Sequence, residues 1–119
     1  MDARLREGIR LFNEGRFFEA HETLERFYQE TEDSHKPFLE GLIELAVAFR
    51  LYTDFGEIKG PVRMIYRALI RFENYQSSHL DIQVKDLSES MEAWAKEADA
   101  AGKPLSSIPT IPLQRGAFS

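Results

Sequence analysis

Residues 38–52 read FLEGLIELAVAFRLY, a run whose apolar surface is interrupted only by Glu40, Glu44 and Arg50. A helix of this composition is apolar almost all the way round, so it must be covered on most sides by other elements. The flanking segments supply them. Upstream, Leu5, Ile9 and Phe12 keep i, i+4, i+7 spacing, and Asn13, Glu14 and Gly15 form a stop, which predicts a first helix over Ala3 to Glu14. At about 100° per residue, Phe17, Leu24 and Tyr28 fall within one arc and predict a second helix over Phe17 to Glu32, broken by DSHKP at 33–37.

Downstream, the loop TDFGEIKGP ends on Pro61, which is suited to a first helical turn. A fourth helix then carries Val62, Ile65, Tyr66, Leu69 and Phe72 on one face. Asp86 with Glu89 three residues on has the form of a capping box. It opens a fifth helix with Leu87, Met91, Trp94, Ala95 and Ala98 inward, ended by Gly102. Nothing alternates as a strand does. The expected fold is all-α, a bundle of about five helices built from two antiparallel hairpins, with Phe17, Leu24, Leu42, Ala46, Ile65 and Leu69 in a common core.

A chain of 119 residues suits a single core. The bundle is expected over residues 1–103, with 104–119 a proline-containing extended tail, draped on it or loose. An echo at a fixed offset strengthens the hairpin reading. Leu11, Gly15, Phe17, Ala20, Leu24 and Tyr28 map onto Tyr52, Gly56, Ile58, Pro61, Ile65 and Leu69, each set a helix end, a glycine turn and a second helix, weakly tetratricopeptide-like. Two copies are too few for a free-standing solenoid, which favours a closed bundle.

The net charge of −5 comes entirely from residues 1–60, where thirteen acids face eight bases. That balance argues against a nucleic-acid partner, whose phosphates need a concentrated basic surface. No apolar run approaches the roughly 18 residues of a membrane span, and the charged start, MDARLREGIRLF, lacks a signal peptide's apolar block, so a cytoplasmic address is expected. The absence of cysteine removes thiolate chemistry and Cys-rich zinc sites.

Two blocks together, F-x2-G-x-FFEAHE-x-LE from Phe12 to Glu25 and FL-x-GLI-x-LAVA from Phe38 to Ala48, closely resemble a bacterial, archaeal and plastid family called domain of unknown function 309. The resemblance covers roughly residues 3–75. It implies a small all-helical protein and carries no activity or catalytic residue. The chain departs from the family pattern at Tyr28, where a tryptophan is usual, at Glu40 and Glu44, where glutamines are usual, and at Tyr52, near a common histidine.

The odd chemistry collects around FFEAHETLE. On the second helix His21 lies about 40° from Phe17 and Glu25 about 80° on the same side, with Glu22 at the border. His21 is therefore expected to be mostly buried and to reach Glu25, Glu40 or Glu44. His21, Glu25, Glu40 and Glu44 have the chemistry to hold a divalent ion for metal-assisted hydrolysis. The motif is weak, however, since HETLE is not HExxH and no paired Glu-x-x-His units exist. The alternative is a hydrogen-bonded network fixing two helices in register. Glu40 and Glu44, one turn apart, repel when ionised and require a cation: His21, Arg50, an arginine of another chain, or a metal. Arg63, Arg67 and Arg71 form a stripe expected to be solvated.

The function expected from these features is a non-enzymatic helical module that binds a protein or small polar ligand near FFEAHE, with His21, Glu22, Glu25, Glu40 and Glu44 as its polar cluster. A metal-dependent hydrolase built on the same residues is the alternative, and only that reading calls for a cofactor. The partners implied are another protein or a second copy of the chain, not nucleic acid and not a membrane.

Overall fold

The FLEGLIELAVAFRLY stretch lies inside the longest of the five helices among the described residues. The structure is a computed structural model and describes residues 1–114. The elements are α1 (Ala3–Asn13), α2 (Phe17–Glu30), α3 (Lys36–Phe55), α4 (Lys59–Phe72) and α5 (Val84–Ala101), with single 3-10 turns at Asp33–His35 and Glu73–Tyr75. Each helix packs on the next in chain order. Neighbours run antiparallel: Arg4 at the start of α1 pairs with Glu30 at the end of α2, and Arg71 late in α4 with Glu40 and Glu44 early in α3. Among the described residues there is no strand, only isolated bridges joining His79 to Ile82 and Ile82 to Leu113.

The two hairpin turns are built alike, as the echo requires. Gly15 and Gly56 both adopt left-handed backbone, at φ of 82° and 69°, a conformation that costs any residue with a Cβ about 1–2 kcal/mol. Asp2 begins α1 by accepting from the Arg4 amide at 2.8 Å.

Other boundaries depart from the sequence reading. Helix α2 stops at Glu30 rather than Glu32, and DSHKP is only partly a breaker. Lys36 and Pro37 already belong to α3, because the first turn of a helix does not use the proline's missing donor. Asp86 is not a cap. Helix α5 opens at Val84 after Gln83, which leaves Asp86 inside the first turn, where it complements the helix dipole.

The inner side of α3 is the core. Phe38, Leu39, Leu42, Leu45, Ala46 and Phe49 are fully buried. Phe49 meets Phe12 of α1 at 5.8 Å and Trp94 of α5 at 5.0 Å between ring centres, which places α1 and α5 behind α3. Of the six residues expected to share the core, Phe17, Leu24, Leu42, Ala46 and Ile65 are buried. Leu69 is half-buried at its edge, because its arc on α4 turns past the neighbouring helices. Close approach fixes the α3–α4 contact: a Cβ at Gly41 would come within 2.5 Å of the buried Phe72 ring.

After α5 the chain returns along the bundle. Asn13 clamps it, donating to the Ile111 carbonyl at 3.2 Å and accepting from the Ile111 amide at 2.7 Å, and Ile111 is buried. The Gln83 amide donates to the Pro112 carbonyl at 2.9 Å. The expected tail extends beyond this, and its last residues, 115–119, lie outside the described ones.

Candidate functional site

The outward side of α3 forms the middle of a three-helix face, between α2 and α4, and the acids read from the sequence lie on it. Glu40 and Glu44 stand one turn apart. Arg71 answers their repulsion: its Nη1 lies 2.7 Å from Glu40 Oε2, and its Nε donates to Glu44 Oε1 at 2.6 Å. Tyr28 on α2 donates its hydroxyl to Glu40 Oε1 at 2.6 Å, so one carboxylate ties three helices together. Glu44 is the most covered of the group, with 16% of its side chain exposed. The Tyr28 phenol is held above its ordinary pKa, chiefly because the hydrogen bond to Glu40 favours the protonated hydroxyl; desolvation and the carboxylate's charge act the same way.

Glu25, Tyr28, Glu40, Ile43, Glu44 and Arg71 line a cleft of about 250 Å³. The three carboxylates outnumber the single guanidinium. Beside the cleft, His21, Glu22, Glu25, Arg26 and Gln29 border a shallow recess formed by α2 alone, with no opposing wall. Glu22 is exposed, and Glu25 belongs to both recess and cleft.

The structure bears out the expected reach of His21 for Glu25 alone. The His21 side chain is 31% exposed, and the acid it meets is Glu25, at 3.3 Å from Nε2. It does not reach Glu40 or Glu44. The buried side of α2 is set by Phe17, Ala20, Thr23, Leu24 and Phe27, an arc rotated towards α1, which leaves His21 on the opposite edge. Among the described residues no three His, Asp or Glu side chains are grouped to hold a metal ion. The set of His21, Glu25, Glu40 and Glu44 divides instead into a surface pair and an arginine-bridged pair.

The arginine stripe divides as well. Arg63 and Arg67 are exposed as expected, whereas Arg71 is half-buried and bridges helices. The sequence reading missed Arg71 as the cation for Glu40 and Glu44, although a signal existed. In a hairpin turning near Gly56, Arg71 lies as far beyond Glu57 as Ile43 lies before it, and so belongs opposite the two acids. Sequence alone gives Tyr28 as an apolar position and a departure from the family pattern, not as a donor to Glu40.

The paired motifs around Gly15 and Gly41 therefore build the turn, the core and most of this cleft. Residues 5–64, half of the chain, match the family model described as domain of unknown function (DUF309). The chain belongs to the DUF309 family. The DUF309 match takes in α1 to α3 and the start of α4, hence Tyr28, Glu40 and Glu44, while Arg71 falls beyond it. No protein of curated function matches the sequence. Among the described residues no helix is long and apolar enough to cross a membrane.

Proposed function

We propose that this DUF309 chain is a non-enzymatic binding module whose cleft between α2, α3 and α4 takes a positively charged group, carried by a protein segment or a small polar ligand. The excess of carboxylate in the cleft carries the reading: Glu25, Glu40 and Glu44 gather around Arg71 alone, with exposed Glu22 at the rim. An incoming ammonium or guanidinium finds acceptor oxygens already held in place by Tyr28 and Arg71, so little ordering is needed on binding. A phosphate would meet repulsion there, which keeps nucleic acid outside the proposal. The cytoplasmic address is part of the same reading. The hydrolase alternative has no observation in its favour, since its four residues do not converge.

Thermal unfolding at low micromolar protein, with spermine, arginine amide and a lysine-rich peptide as probes, tests this. A probe in hundredfold excess over its Kd stabilises by about 2.7 kcal/mol. The melting temperature should rise for the wild type and not for Glu22→Gln/Glu25→Gln. Equal responses of the two proteins, or no response to any probe, would reject the cleft as a cation site.

A further inference from the structure

Helix α3 is apolar nearly all round, and the fold covers its outward side only in part. On its outward side Ile43, Val47 and Leu51, spaced i, i+4, i+8, are only half-buried, a line about 12 Å long at 1.5 Å per residue. Solvated helices seldom spend such positions on large aliphatic residues without a covering surface. The two walls of this face differ in charge. The α2 wall carries Glu22 and Glu25. The α4 wall carries Arg67 and Arg71, and Arg67 is exposed with no ion-pair partner among the described residues. Phe18, 41% exposed, stands on the α2 wall with Arg50 above its ring at 4.4 Å.

We propose that this three-helix face is where two copies of the chain meet, related by a two-fold axis running along α3 through Val47. The inference goes beyond the cleft reading and stands on a different observation, the partly covered apolar line. Two rotations can press such a face on itself. An axis across the helices would lay α2 on α2 and α4 on α4, acid on acid and arginine on arginine. The axis along α3 lays the acidic α2 of each copy on the basic α4 of the other. Ile43, Val47 and Leu51 then close over their own counterparts, and Phe18 comes over the half-buried Met64 of the other copy. A uniformly charged foreign segment would be attracted by one wall and repelled by the other, whereas a second copy supplies both signs. The contact is isologous and therefore closes at a dimer.

Sedimentation of the full chain at low salt, up to about 300 µM to reach affinities weaker than micromolar, is the test. The expected species has twice the 13.8 kDa monomer mass. Val47→Glu should give a monomer with unchanged helicity and, at concentrations low enough for the wild type to be monomeric too, an unchanged melting temperature, since Val47 lies outside the buried core. Arg67→Glu and Glu22→Lys should each weaken self-association at least tenfold, which an axis across the helices, where each charge already faces its own kind, would not produce, and an equimolar mixture of the two should restore it as a heterodimer. A wild type that stays monomeric throughout, a dimer that survives Val47→Glu, or charge variants that fail to rescue each other would each overturn the proposal. A monomeric wild type that still answers spermine would remove the dimer and leave the cleft reading standing. A dimer abolished by Val47→Glu in a protein deaf to every basic probe would support the dimer and remove the cleft reading.

Discussion

The two sides of α3 are held by different physics. Inward, Phe38, Leu42, Leu45 and Phe49 sit in a space where even the missing Cβ of Gly41 matters, because the Phe72 ring fills it. Outward, contact with α2 and α4 passes through a few polar atoms, those of Tyr28, Glu40, Glu44 and Arg71, at partial exposure. Close packing transmits any change of volume, and a side chain enclosed on all sides has nowhere to go. A half-exposed ion pair can be replaced by water at modest cost. The inner side of α3 therefore specifies the fold, and the outer side is free to vary.

The sharpest way to break that contrast is to add one methyl group on the inner side. Gly41→Ala should destabilise the protein by about 2–3 kcal/mol, the upper part of the range for overpacking a closed core, even though alanine is the better helix former by about 1 kcal/mol. Phe72 is fully buried and cannot swing aside. Denaturant unfolding measures the effect, and a stabilised Gly41→Ala would show that the α3–α4 spacing is slack.

On the outer side the largest effect should belong to Arg71. Arg71→Gln leaves Glu40 and Glu44 facing each other one turn apart, with Glu44 mostly covered, and should cost about 1–2 kcal/mol, between an exposed pair and a buried acceptor left unpaired. Arg63→Gln and Arg67→Gln at low protein concentration should each stay within about 0.5 kcal/mol. A double-mutant cycle of Arg71→Gln with Glu44→Gln sharpens the point. If their coupling is absent, the bridge is ornamental and the outer side contributes nothing to stability.

How much of this was legible depends on whether a feature is local. Helical periods, the Gly15 and Gly56 turns and the apolar character of α3 follow from sequence spacing alone, because the 3.6-residue repeat and positive φ are properties of short segments. The Asp86 cap failed for a local reason too: Val84 is buried, and extending α5 by one more turn hides it. The site was harder. His21 reads as inward when Phe17, Leu24 and Tyr28 centre the α2 arc, whereas Ala20, Thr23 and Phe27 pull its centre towards α1. Which flank α1 would choose is a tertiary fact. The role of Arg71 is legible only from positions paired across the α3–α4 hairpin. The Asn13 clamp on Ile111 joins residues too distant in sequence for any such pairing.

The start of α3 offers a smaller, pH-dependent contrast. His35 Nδ1 and His79 Nε2 lie 2.9 Å apart, with the Tyr75 and Phe38 rings packed against His79. Burial and the neighbouring imidazole hold His79 below its ordinary pKa. A depressed imidazole is neutral in the fold, so below about pH 6.5 the unfolded chain takes up the proton first. Stability is complete above that value and falls as pH drops towards the folded pKa. The slope is bounded by about 1.4 kcal/mol per pH unit for one proton. His79→Gln should flatten the dependence of the melting temperature between neutral pH and the onset of carboxylate titration. An unchanged slope would assign it to other groups.

The smallest effect expected is at His21. His21 pairs with Glu25 on the surface of a single helix, at i, i+4 and 31% exposed. Such pairs contribute about 0.2–0.5 kcal/mol when charged, and alanine has the higher helix propensity. The two terms nearly cancel, so His21→Ala should change stability by no more than about 0.5 kcal/mol, ten times less in equilibrium terms than a buried histidine whose loss leaves acceptors unpaired. A measured loss of 2 kcal/mol or more would mean that His21 points inward after all and contacts Glu40 or Glu44. It would also undo the division of the acids into a surface pair and an arginine-bridged pair. A change near zero, with the melting temperature indifferent to added Zn²⁺ or Mn²⁺, would leave FFEAHETLE as the rim of the cleft, with its carboxylates rather than its imidazole carrying the chemistry.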